Sequence, residues 1–305
     1  MLTIGKTPEA RRSVVLRTDR SYFAPCELRD ALRRWNAAGR RVALATVTQI
    51  DGSAPVSLGP AFAVNDAGKV AGSIGGGCME GALIAEARTV LRTDEPVVLT
   101  YGSGDGLVDV ASLCGGTLTL ELAVLTQSMF EALADEGVSA ASLYLVGANA
   151  YAAALVPIAR QIGYDVQVVD PRPVFLASRD FPGAATVLGW PEDAVPTATL
   201  CQRDAVVVLA HDERLEGAFL ARVLSSGDGY VGALGSRNAH AERLARLRAE
   251  GVSETNIARL AAPVGLDLGG NSAAEVAVSI AAEMIAVRHA RTAGRLMDCR
   301  GPIHS

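Results

Sequence analysis

The chain predicts an α/β protein in two parts, a small N-terminal α+β domain followed by a larger domain built on a doubly wound parallel sheet. Three observations carry this. From Ser142 onward, short apolar strand patterns alternate with helical patterns, as an open, mostly parallel sheet requires. Before that point the strands are bounded by tight-turn residues, which suits hairpins. The 305 residues, half of them hydrophobic, are enough for two separate cores.

Met1 to about Ser21 lacks sustained periodicity and reads as an arm over 1–21. The N-terminal domain then spans 22–127. Glu27 to Ala38 has Leu28, Leu32 and Trp35 at helical spacing, and Gly39 ends the helix. Arg41 to Thr48 is a strand. The turn cluster Asp51-Gly52-Ser53-Ala54-Pro55 leads into a hairpin of Ala61–Val64 and Lys69–Gly72 around Asn65-Asp66-Ala67-Gly68. Met79, Leu83, Ala87 and Val90 mark a helix, Pro96 to Tyr101 a strand, and Thr117 to Val124 a strand with leucine on alternate positions. Residues 128–141 are a linker.

The stretch Gly72-Ser73-Ile74-Gly75-Gly76-Gly77-Cys78-Met79-Glu80 runs from strand through glycine turn to helix without a break. Glycines let backbone N–H groups close on a bound group, and a helix start adds unpaired donors and partial positive charge. A phosphate would be held there. Such a setting also favours thiolate, with cysteine pKa values falling to roughly 3.5–7.5, so Cys78 is a candidate reactive or ligand-binding thiol. The alternative is a tight turn beside a small buried residue. Cys114, followed by Gly115 and Gly116, repeats the arrangement at the start of another strand. There the choice is between a second thiol bracketing the ligand and plain core.

In the second domain, 142–290, the strand Ser142–Val146 is followed by Gly147, a helix to Ile162, the stop Gly163 and the strand Asp165–Val169 closed by Asp170. This is the outline of a dinucleotide-binding βαβ unit, in which an acidic residue about 20 positions on meets ribose hydroxyls. Gly147 and Asp170 fit that outline, but Asn149 and Ala152 occupy the second and third glycine positions. Alanine is tolerated at the third; a side chain at the second stands where pyrophosphate must approach. Pro157 is expected to distort the helix. Further strands fall at Ala185–Leu188, Ala205–Leu209, Tyr230–Ala233 and Leu260–Val264. His211 and Asp212 follow one strand end, and Gly235, Ser236, Arg237 and His240 another, all facing the crevice of a Rossmann-like sheet. For Arg237, His240 and Arg243 the alternative is a solvated helix face. Ala273–Ala290 is a long helix with Val276, Ile280, Met284 and Val287 as its buried stripe. Residues 291–305 form a tail with too little pattern to interpret.

A net charge of −5 offers no basic face for nucleic acid or anionic lipid. Five scattered cysteines with no CxxC spacing suggest neither a disulfide framework nor zinc. Arg11-Arg12 lacks the apolar run of an export signal, and charges interrupt every candidate membrane span, so a cytoplasmic location is expected.

Taken in order, Asp51-Gly52-Ser53-Ala54-Pro55, Gly72 to Glu80, Cys114-Gly115-Gly116-Thr117, Gly232 to Arg237 and Pro263-Val264-Gly265-Leu266-Asp267 resemble the xanthine dehydrogenase accessory proteins, the XdhC family with its CoxI-like relatives. The resemblance spans roughly Gly39 to His289. It implies a protein that carries molybdenum cofactor as cargo, protects it and helps insert it into a molybdenum hydroxylase client. It also implies a homodimer that turns nothing over. Position by position, Gly75, Gly76, Gly77, Cys78, Glu80 and Cys114 would form the N-terminal site, with Cys78 approaching the metal, and Gly147, Asp170, His211 and Arg237 the Rossmann crevice. Family members show an intact GxGxxG where this chain has Asn149 and Ala152, and a basic residue where it has Val56. The rival readings are an oxidoreductase using a nucleotide such as NAD, and a scaffold that docks the hydroxylase.

Overall fold

The computed structural model describes residues 26–52, 54, 56–74, 77, 79–102, 108–109, 116–135, 141–210 and 212–299. The chain divides into two compact units, 1–139 with 296–305, and 140–295.

In the first unit, α1 (Cys26–Ala37) precedes β1 (Val42–Asp51), β2 (Gly59–Asn65) and β3 (Val70–Gly72). α2 (Glu80–Thr93), β4 (Val97–Gly102), β5 (Val108–Asp109), β6 (Thr117–Val124) and α3 (Gln127–Asp135) follow. The sheet runs β3-β2-β1-β6-β4-β5, antiparallel but for the β4–β5 pair. β1 is buried on both sides over its first six residues, which is why its sequence shows an apolar run rather than alternation. Val42 and Leu44 pack with Leu28, Ala31, Leu32 and Trp35 of α1. Ala43, Ala45 and Val47 face the other way, into a core with Phe62, Leu118, Leu120 and Leu122 and with Leu83, Ala87 and Val90 of α2. Two helices thus clamp one sheet, and the hairpin's register fixes where the glycine turn leaves it.

The second unit contains β7 (Ala141–Val146), α4 (Ala150–Gln161), β8 (Tyr164–Asp170), α5 (Pro173–Ala177), β9 (Ala185–Leu188) and α6 (Pro191–Ala194). β10 (Ala205–Val208), α7 (Glu213–Ser226), β11 (Tyr230–Ala233), α8 (Arg237–Ala249), α9 (Glu254–Ile257), β12 (Leu260–Ala261) and α10 (Ala273–Arg288) complete it. The sheet order is β12-β11-β10-β7-β8-β9, with every pair parallel. This is the doubly wound parallel sheet the sequence predicts. The chain moves outward from β7 to β9, then returns to place β10 on the other side of β7. The carboxyl ends of β7 and β10 therefore flank the switch point, where such sheets bind ligands. Tyr144, Val146, Val206 and Val208 pack with Leu215, Phe219, Leu220 and Val223 of α7 on one face.

Three details differ from the sequence expectation. α4 continues unbroken through Pro157, with one backbone bond fewer. α10 buries Ala277, Ile280, Ala281 and Met284, while Val287 is exposed; its small residues let it lie close against the alanine-rich α4, a contact that a search for large side chains overlooks. Arg243 is not on a solvated face. It is 2% exposed and paired with Glu216 at 2.8 Å.

Candidate functional site

In the first unit the site stretch begins where β3 ends. Gly72 has φ +79°, and a Cβ there would lie 2.1 Å from the Ala61 carbonyl oxygen, so only glycine lets the strand turn this closely. Ser73 N–H donates to that same carbonyl at 3.1 Å. Ile74 and Met79 are both sunk in the core, anchoring the turn at its two ends. Between them Gly77 is exposed, with φ +104° and, among the described residues, no atom beyond its chain neighbours within 4 Å of a Cβ placed on it. The turn is open to solvent at that point.

Glu80 opens α2 and reaches back. Its Oε1 accepts from Ser73 Oγ at 2.7 Å and from Ile74 N–H at 3.3 Å, so the carboxylate latches the two residues that enter the glycine run. Met79, the residue before α2, provides no side-chain cap. Gly75, Gly76, Cys78 and Cys114 lie outside the described residues, as does His211 of the second unit.

At the carboxyl edge of the second sheet, Gly147 has φ +110°, and a Cβ there would come within 2.9 Å of the Ala210 backbone nitrogen and Cβ. Its glycine identity thus has a packing cause: the turns after β7 and β10 touch. Asn149 caps α4, its Oδ1 accepting from Tyr151 N–H at 3.0 Å and Ala152 N–H at 3.1 Å. Its Nδ2 donates to the Leu209 carbonyl at 2.9 Å.

Asp170 is fully buried and fully engaged. Oδ2 accepts from Ala148 N–H at 2.9 Å and Arg172 Nη2 at 2.9 Å; Oδ1 accepts from Arg172 N–H at 3.0 Å and Nε at 2.8 Å. The pattern repeats after β10, where Asp212 Oδ1 accepts from Arg214 N–H at 3.1 Å and Nε at 3.0 Å, and Oδ2 from Nη2 at 2.8 Å. Two Asp-x-Arg clasps therefore stand at neighbouring loops, with Arg172 Nη1 3.9 Å from Asp212 Oδ2. Arg172 also stacks over the Phe175 ring at 4.0 Å. Sequence reading missed both arginines and Asn149's capping role. The signal was there in Asp170-Pro171-Arg172 and Asp212-Glu213-Arg214, the same spacing at two strand ends.

Electrostatics follow the contacts. Arg214 holds the Asp212 carboxyl down to about 2 through hydrogen bonds and charge. Burial works to raise Asp170, but bonds from Arg172 and the Ala148 N–H outweigh it and the pKa is lowered. A carboxyl lowered on folding contributes stability above its unfolded pKa, roughly 3.9, and loses it as pH falls through the folded value. Asp170→Asn is thus expected to flatten the acid limb of stability measured against pH below about pH 4; an unchanged limb would show that the clasp does not hold the fold.

Arg237 is exposed at the start of α8, a helix that Ser236 caps through Ala239 N–H at 3.2 Å. His240 is partly buried, and desolvation together with Arg243 lowers its pKa, which favours the neutral ring. Among the described residues no group of three His, Cys, Asp or Glu side chains is placed to hold a metal, and no helix is long and apolar enough to cross a membrane.

Residues 143–284 match the XdhC Rossmann domain, and residues 35–102 match the XdhC and CoxI family. The chain belongs to the XdhC and CoxI family. The molybdenum cofactor insertion chaperone PaoD of Escherichia coli is 28% identical over 269 residues, 82% of this chain and 85% of PaoD. The uncharacterized protein YqeB of Escherichia coli is 29% identical over 262 residues, 85% of this chain; the match spans about half of YqeB, 46%. A Bacillus halodurans protein described as a xanthine dehydrogenase superposes with a TM-score of 0.69 at 20% identity, over 89% of this chain and 97% of its own. That likeness establishes a shared fold.

Proposed function

We propose that this XdhC-family protein binds molybdenum cofactor, protects it, and helps insert it into a molybdenum hydroxylase of the xanthine dehydrogenase or carbon monoxide dehydrogenase type. The observation that carries the reading is the likeness to PaoD along most of both chains. The glycine turn supports it. Its entry is pinned by Glu80 and its Gly77 is exposed; the backbone N–H groups of Gly75, Gly76 and Gly77 are proposed to hold the cofactor's phosphate, as glycine-rich helix entries do. Cys78, next in sequence, is proposed to approach the molybdenum or its sulfur as thiolate. Cys114 is proposed as the second thiol of this unit.

In the Rossmann unit, taken by itself, His211 and the exposed Arg237 are proposed as ligand contacts of that unit's own crevice, with Gly147 and Asp170 serving as scaffold through their own contacts. No covalent chemistry is assigned to the protein; it acts as a maturation factor, working in the cytoplasm as a homodimer. Protein produced in cells that make the cofactor is expected to carry molybdenum and pterin, and Cys78→Ala to lose about 90% of both, a tenfold drop in retention. Equal retention by parent and variant would remove Cys78 from the site.

A further inference from the structure

A doubly wound sheet of this kind brings a dinucleotide to mind as ligand, with its pyrophosphate on the first helix N-terminus and its ribose on the acid after the second strand. The residues here do not fit that group. The N–H groups of Tyr151 and Ala152, which would face the pyrophosphate, already donate to Asn149 Oδ1 at 3.0 and 3.1 Å. The same side chain crosses the switch point, because its Nδ2 donates at 2.9 Å to Leu209 just beyond β10. Beneath this bridge the two strand ends are in contact: Leu209 and Ala210 N–H groups donate to the Val146 carbonyl at 2.8 and 3.2 Å. Asp170, the acid at the ribose position, spends both oxygens on Ala148 and Arg172.

We infer that Asn149 sets the ligand specificity of this domain: its amide occupies the pyrophosphate position, straps β7 to β10 and closes the crevice to NAD-type dinucleotides. The sheet remains Rossmann-like while its usual anion site is filled by the protein's own side chain. Arg172 completes the closure by holding the carboxylate that a ribose would need.

Calorimetric titration of the full chain with NADH and NADPH tests this. The parent is expected to show no saturable binding up to about 1 mM. Asn149→Gly removes the strap, and Asn149→Gly with Arg172→Ala also frees Asp170; the double variant is expected to bind at least tenfold more tightly than the parent limit. Asn149→Ser, whose shorter side chain still caps α4 and so still holds the Tyr151 and Ala152 N–H groups, is the matched control, and thermal melts establish which variants are folded. It is expected to bind no better than the parent. Micromolar binding by the parent would overturn the closure. So would a folded Asn149→Gly or double variant that gained none, or an Asn149→Ser that gained as much as the double. A parent that bound NADH would leave molybdenum retention untouched, so this outcome is separable from failure of the cargo reading.

Discussion

Glu216→Ala is expected to cost about 3–5 kcal/mol of folding stability, because it strands a buried guanidinium. Arg243 is 2% exposed, and its Nη2 donates to Glu216 Oε2 at 2.8 Å and to the Leu234 carbonyl at 3.0 Å. Its Nε and Nη1 are buried with no hydrogen-bond partner among the described residues, so Glu216 is the counter-charge that this guanidinium meets. Arg246 approaches the other Glu216 oxygen at 3.3 Å, and removing the carboxylate leaves two cations side by side. Urea unfolding should show a lower midpoint at unchanged slope. Replacing both members together, Glu216→Leu with Arg243→Met, should recover most of the loss, since a buried pair can be exchanged for apolar side chains at little net cost. A single-variant cost under about 1 kcal/mol would mean that water reaches the pair.

Gly72→Ala is expected to cost about 3 kcal/mol or more, combining strain at positive φ with a collision that has no soft partner. The added Cβ would sit 2.1 Å from the Ala61 oxygen and 3.2 Å from the Phe62 Cα, both backbone atoms of the neighbouring strand. The strand pair must separate, and with it the Ser73 bond to Ala61 that starts the glycine turn. Gly77→Ala is the matched comparison, since its φ of +104° carries strain but no described atom beyond its chain neighbours lies within 4 Å of the added Cβ; about 1–3 kcal/mol is expected there. Thermal melts of the two variants should rank them in this order, and equal melting temperatures would contradict the close approach at Gly72.

The frame was legible because its signals are local. The Ala61–Gly72 hairpin showed in its turn residues, the α2 helix in Met79, Leu83, Ala87 and Val90, and the parallel sheet in strands that recur between helices. What stayed hidden depends on partners far apart in sequence. Glu80 carries no mark of its bond to Ser73, seven residues back, and Arg243 gives no sign that Glu216, 27 residues earlier, would draw it inside. Asn149 was visible as a departure from a glycine pattern. That its amide would fill the place of a phosphate and reach Leu209 could be seen only with both strand ends in view. At α10 the cause was different: Ala277 and Ala281 are small enough to bring two helices together, and small residues count for little in a hydrophobic stripe.

Direct titration with isolated molybdenum cofactor under anaerobic conditions tests whether the glycine turn and Cys78 hold the cargo. Parent protein and Cys78→Ala would be compared at equal concentration, following molybdenum bound after rapid gel filtration. Affinity at least tenfold weaker is expected for the variant, or about 1.4 kcal/mol, with an unchanged melting temperature. Identical binding curves for the two proteins would rule Cys78 out as a cargo contact.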